Sequence, residues 1–345
     1  MGKQDGMEPL GKRIEWIDTA RGIGLLLVFF GHMHVSYLST WIYTFHMPLF
    51  FFLSGMLYPG CEKYSFSEFA WRRFKGLVIP YFALGIVIAL FYCCLFAYYN
   101  RPLSAYTDML RSFLIQEHYW TIWFLAALYL TQILYYCIDK CFGQWRYISS
   151  LVSFLVCVIG LVRYRLGCGS LPWNLDIALI AQFFFHMGYL FMQSRRILDF
   201  FTGTMKVWKR FVIVSCCLVV NFIAGKFCIM LSGHSLDMSI GMYGNEIMTM
   251  ISALAGILLV LTVSPIIHSA FFTYLGRNTM ILFSWHSRII LVACGLAYAH
   301  FGLFQSEALA IEILRALLSL IIILVVLIPI NEFIKRLPCH KIFGV

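Results

Sequence analysis

The chain has 345 residues, of which 61% are hydrophobic, 17% aromatic and only 12% charged. A soluble domain carries about 45–50% apolar and about 25% charged residues, so this composition excludes an ordinary soluble protein and predicts an all-α integral membrane protein with the lipid bilayer as its first partner. The formal net charge of +10 raises nucleic acid as a partner, but the placement of the charges along the chain accounts for it without one.

A crossing needs roughly 20 apolar residues, and runs of that kind predict ten transmembrane helices. A polar, slightly basic segment, 1–16, comes first; no small-residue cleavage site follows it, so the first apolar run reads as an uncleaved span. That span falls at 17–38. The second, 41–58, is short and carries Pro48 and Gly55, which predicts a tilted, kinked or partly re-entrant segment. Spans follow at 77–97, 122–138, 148–164, 175–193, 211–231, 247–265, 278–299 and 309–331. Together they form one membrane domain, 17–331, and 332–345 is left as a short cytoplasmic tail that leaves room for no further domain. Lysine and arginine orient the whole: Lys3, Lys12, Arg13, Arg21, Lys63, Arg72, Arg73, Lys75, Arg195, Arg196, Lys206, Lys209 and Arg210 crowd one set of loops and ends, whereas the other set holds Arg101, Arg111, Arg163 and Arg165. Both termini are therefore expected in the cytoplasm, in a multi-pass protein of a cell membrane.

The 12 cysteines contain no CxxC pair, and most lie in apolar runs, where a thiol behaves as a small hydrophobe. Free thiols are expected. Among charges inside spans, Lys226 and Arg315 lie near the outer edge and can snorkel, Arg315 with Glu312 as a helical neighbour. Arg288 sits near the middle of the ninth span, two residues after His286. An arginine at that depth faces a bundle interior or a wet cavity, either as a functional group or as half of a structural ion pair.

The first span holds the most informative spacing. In EWIDTARGIGLLLVFFGHMH, Arg21 and His32 are 11 residues apart; on a helix that is three turns plus about 20°, so they share one stripe about 16 Å apart along the axis. His34 falls nearly opposite. A cation near one membrane edge can hold phosphate, and an imidazole in a shielded cavity can act as a general base, at a separation comparable to the extended arm of coenzyme A. Both groups are expected to face the same surroundings. An orientation charge and a satisfied core histidine account for the same pair without chemistry.

EWIDTARGIGLLLVFFGH, FHMPLFFFLSGMLY, RRFKGLVIPYF, WFLAALYL, LPWNLDIALIAQFFFHMGYLF, YGN and LGRNTMILFSWH, in this order, resemble the membrane acyltransferase-3 family, in its fucose 4-O-acetylase-like branch. The resemblance implies an O-acyltransferase that moves acetyl from acetyl-CoA, as donor substrate and with no bound cofactor, to a sugar hydroxyl of a cell-envelope or exported glycan, free or lipid-linked, in a bacterial inner or plasma membrane. It implies His32 as the catalytic histidine, Arg21 at the donor end of the site, and Arg72 and Arg73 as a grip on the donor phosphates. Lys75 stands where the family's R-x-x-R pattern has its second arginine, and lysine is a point charge rather than a fork. His286 matches the family's histidine at the end of its block.

Further site residues follow from position. His46, at the outer start of the second span, is a candidate for the acceptor site. Asp176 and Glu246 enter their spans from the outer side and are candidates to orient His32. Asp18 is too far along the helix for that role, about 21 Å. His186 and His34 read as core residues, and Trp120, Trp123 and Trp173 as either an interfacial belt or a sugar platform. No HExxH or similar pair shares a helical face, so no metal site is expected. Two rival readings remain: a secondary transporter that uses the buried histidines and Arg288 as a proton or substrate path, and a non-catalytic envelope subunit. The outer loops 98–121 and 232–246 are expected to select the acceptor.

Overall fold

The computed structural model describes residues 14–35, 38–116, 121–234, 236–304 and 308–345. Most of the N-terminal segment, with Lys3, Lys12 and Arg13, and also Trp120, lies outside them. The described chain is helical, with one isolated extended bridge between Asp237 and Met242. Lipid offers no hydrogen-bond partners, so a spanning backbone must satisfy its own amides, and helices do that.

In chain order the helices are α1 (Glu15–His32), α2 (Leu38–Tyr43), α3 (His46–Met56), α4 (Phe66–Arg73), α5 (Ile79–Tyr98), α6 (Leu103–Ile115), α7 (Trp123–Phe142) and α8 (Arg146–Arg165). They continue with α9 (Leu175–Gln193), α10 (Arg195–Thr202), α11 (Val207–Ser232), α12 (Glu246–Val263), α13 (Ala270–Arg277), α14 (Thr279–Trp285), α15 (Val292–His300) and α16 (Leu309–Lys335). Wide π turns join α4 to α5 at Phe74–Val78 and α14 to α15 at His286–Leu291. The chain is a multi-pass membrane protein: among the described residues, 7 helical stretches are long and apolar enough to cross a bilayer. Three of the ten expected spans differ from that description. The second is not one rod but α2, a turn, and the 11-residue α3. The other two, α1 with Glu15, Asp18 and Arg21 and α7 with Gln132, Asp139 and Lys140, carry polar groups that suit a protein interior better than lipid.

Burial explains that polarity. Helices α1, α3, α7 and α9 supply Phe29, Phe51, Tyr135, Phe184 and Phe185 to the centre of the bundle, while α8, α11 and α16 turn exposed apolar side chains outward. His186 is held in the core between Tyr135 Oη and Ser150 Oγ, each 2.9 Å away. Helix α16 runs on to Lys335, and the following turn packs Phe343 against Trp285. All 12 cysteines are free; burial, helped by Asp139, pushes the Cys61 thiol up to about 11.

Helix α13 crosses α1 at backbone contact. A Cβ on Gly22 would stand 2.0 Å from the Phe272 carbonyl oxygen, and one on Gly276 would stand 1.7 Å from that of Asp18. Small residues permit such close crossings, which is how helices associate where lipid removes the hydrophobic drive. Gly276→Ala is therefore expected to cost about 1–3 kcal/mol and to lower the thermal midpoint of the detergent-solubilised protein; an unchanged midpoint would show that the crossing yields freely.

Candidate active site

Helix α1 ends at His32, and the chain turns at once, His34 taking a left-handed conformation with φ +50°. His32 Nδ1 lies 2.9 Å from the carbonyl oxygen of Val28. A carbonyl only accepts, so in the neutral ring Nδ1 carries the proton and Nε2 keeps its lone pair. His46 Nδ1 meets the Ile42 carbonyl at 3.0 Å, and His286 Nδ1 that of Phe283 at 2.7 Å, so all three rings hold the same tautomer. The three also gather. His286 stands edge-on to His32 with ring centroids 4.9 Å apart, and Tyr43 bridges from His32 (5.8 Å) to His46 (4.9 Å). His286 is fully buried, and its Nε2 has no hydrogen-bond partner among the described residues.

His32 opens on a cavity of about 410 Å³ between the end of α1, the π turn and α16, lined also by His34, Ser287, Tyr298, Arg315 and Ser319. The early end of α1 places His34 there, where an unbroken helix would have turned it away. Arg315 sits in this wall, half-buried.

Arg21 faces a second cavity, of about 330 Å³, together with Arg72, Arg73, Arg277 and Gln132. Four guanidinium groups around one space can hold an anion. Arg72 and Arg73 are braced over the rings of Tyr64 (4.5 Å) and Phe69 (5.2 Å). Arg277 pairs with the buried Asp18 at 2.9 Å, which gives that carboxylate its role. Lys75 is exposed over the Trp71 ring and is not in this wall; the π turn at 74–78 shifts it from the face it would share with Arg72. The expectation of common surroundings for Arg21 and His32 is not met. Phe50 and Phe124 roof the arginine cavity and pack on Phe283 (6.4 and 5.8 Å), which with Phe29 packs on His286. One helix thus carries the two groups, and an aromatic layer separates their cavities.

A family model described as an acyltransferase domain, acyltransferase-3, matches residues 14–332. The chain belongs to the acyltransferase-3 family. It is also similar to the nodulation protein NolL of Sinorhizobium fredii, 27% identical over 215 residues, which cover 58% of this chain and 53% of that protein. The NolL of Mesorhizobium japonicum is 33% identical over 134 residues, 34% of each chain. The chain thus spans about half the length, or less, of these curated relatives. No solved structure matches it.

Among the other expected residues of this acyltransferase-3 chain, Glu246 is held in a two-pronged ion pair by Arg165, and Asp176 Oδ1 accepts from the Leu171 amide at 3.3 Å in a third cavity. The carbonyl of Val28 makes the hydrogen bond that orients His32. Among the described residues, the charges of Asp237, in the turn after α11, and of Arg288 act on His32. Only a three-dimensional path brings Asp237 within electrostatic reach of His32. Arg288 lines a separate cavity with Tyr92 and Asp108; two positions after His286, it points to the other side of the helix. Trp123 packs on Phe51 and Phe124, and Trp173 on Tyr81 and Phe82; both serve the interior. Among the described residues, no group of three or more His, Cys, Asp or Glu gathers as a metal site. Arg277, Tyr43 and Asp237 escape a reading of the sequence, since each is a single residue with no spacing signal.

Proposed function

We propose that the protein is a membrane O-acyltransferase that moves acetyl from acetyl-CoA to a sugar hydroxyl of a cell-envelope or exported glycan. Ten crossings, with α1, α3 and α7 inside a lipid-facing ring and both termini cytoplasmic, put the arginine cavity on the cytoplasmic side, where the donor is made. The observation that carries the reading is the pairing, on one helix, of a four-arginine cavity with an imidazole, protonated on Nδ1, that borders a cavity at the other end.

In this scheme Arg21, Arg72, Arg73 and Arg277 hold the donor phosphates, and the thioester arm passes the layer of Phe50, Phe124 and Phe283. His32 Nε2 takes the proton from the acceptor hydroxyl as its oxygen attacks the thioester carbonyl. The C–O bond forms, the C–S bond breaks, and the imidazolium returns the proton to the departing thiolate. His286, edge-on to His32, keeps the ring in place and shields it from water. A route through acetyl-histidine uses the same atoms.

The two cavities on opposite sides of an aromatic layer also suit a transporter of alternating access, and one assay separates the readings. Purified protein in lipid vesicles is given labelled acetyl-CoA inside and candidate glycans outside. Label on the glycan supports acyl transfer; uptake of unmodified solute with no label transfer overturns it in favour of transport.

A further inference from the structure

Beyond the two cavities on α1, a third of about 390 Å³ lies between the end of α8, the start of α9 and the 240–243 segment. Its size falls in the range of about 300–1,000 Å³ usual for small-molecule sites. Its wall includes Arg163, Tyr164, Asp176 and Tyr243. Tyr243 is 3% exposed, and its hydroxyl has no hydrogen-bond partner among the described residues; the same holds for Arg163 Nε. Buried polar groups are nearly always satisfied, and an unsatisfied one asks for an explanation such as a ligand. The rings of Tyr164 and Tyr243 meet at 75° with centroids 5.4 Å apart, so apolar ring surface stands beside the polar atoms. One guanidinium and one carboxylate give the wall no net charge.

This combination suits a pyranose: hydroxyls for Tyr243, Arg163 and Asp176, and a C–H face for the tyrosine rings. An anion would meet Asp176, and a cation would meet Arg163. The turn that carries Tyr243 also carries Asp237, which is within electrostatic reach of both His32 and Tyr243. The third cavity therefore lies toward the His32 end of the bundle and shares no wall residue with the His32 cavity. We propose that it binds a neutral sugar ring of the acceptor that is not the one acylated, so that the acceptor is an oligosaccharide or longer glycan and not a monosaccharide. This rests on the acyl-transfer reading for its purpose but not for its test.

Cys168 lines the same cavity and is exposed, which supplies a native reporter. The full-length protein in nanodiscs is alkylated with N-ethylmaleimide, and modification of Cys168 is followed by peptide mass spectrometry. The probes are neutral trisaccharides (maltotriose, cellotriose, mannotriose and N-acetylchitotriose), with the parent monosaccharides and a glucuronic-acid disaccharide as comparisons. At least one neutral trisaccharide is expected to slow Cys168 modification about tenfold at ten times its Kd, with monosaccharides weaker. Tyr243→Phe should require about ten times more sugar for the same protection, the loss of one hydrogen bond, while the thermal midpoint stays or rises. A merely structural tyrosine would lower that midpoint. Arg163→Gln, as a second variant, should weaken protection similarly.

The sugar site is overturned if no neutral trisaccharide protects Cys168, if the acidic disaccharide protects best, or if protection is the same in Tyr243→Phe and Arg163→Gln. Protection should persist in His32→Ala. Intact protection without acyl transfer by the wild type would fail the enzymatic reading alone. Transfer without protection would fail the sugar cavity alone.

Discussion

His32→Ala should abolish measurable acyl transfer, with a loss of about 100- to 10,000-fold, the range by which a positioned general base accelerates such steps. The structure sharpens what else should happen. The ring lines the 410 Å³ cavity and not the arginine cavity, so donor affinity should stay within about twofold, since no donor-phosphate hydrogen bond is removed. His32→Gln is the stricter variant, because it keeps an amide that can reach Val28 while removing the basic nitrogen; it should be as inactive as alanine. Steady-state transfer of labelled acetyl and equilibrium binding of CoA check both halves. Residual activity within tenfold of wild type in His32→Gln would remove the base from the mechanism.

The second large effect belongs to the opposite end of α1. A hydrogen bond to a charged group contributes about 1.5–3 kcal/mol, so Arg72→Ala with Arg73→Ala should raise KM for acetyl-CoA by on the order of a hundredfold or more. The KM for the acceptor should hardly change. Wild-type KM should rise with ionic strength, because mobile ions screen exposed charges, and the double variant should lose most of that dependence. Lys75→Ala, outside the cavity wall, should give a much smaller effect. An unchanged donor KM in the double variant would dismiss the phosphate grip. Equal effects of Lys75→Ala and the arginine pair would point to diffuse attraction rather than to this cavity.

Much of this was legible from residue order. Apolar runs too long for a soluble core marked the helices, because a lipid-spanning backbone has few ways to satisfy its amides. The spacing of Arg21 and His32 placed them on one stripe, since a helix converts sequence distance into angle. The misreadings occur where that conversion fails. Helix α1 stops at His32, so His34 joins the cavity it was expected to face away from. The π turn at 74–78 inserts extra backbone, which takes Lys75 off the arginine face.

What periodicity could not supply is proximity between separate elements. Nothing in residue order brings Arg277 beside Arg21 or Asp237 within reach of His32, and nothing announces the phenylalanine layer that parts the two cavities. Those relations depend on how glycines such as Gly22 and Gly276 let helices touch, and on the path of the connecting turns. Local chemistry and helical phase are properties of a segment alone; shared walls and barriers arise from packing among many segments.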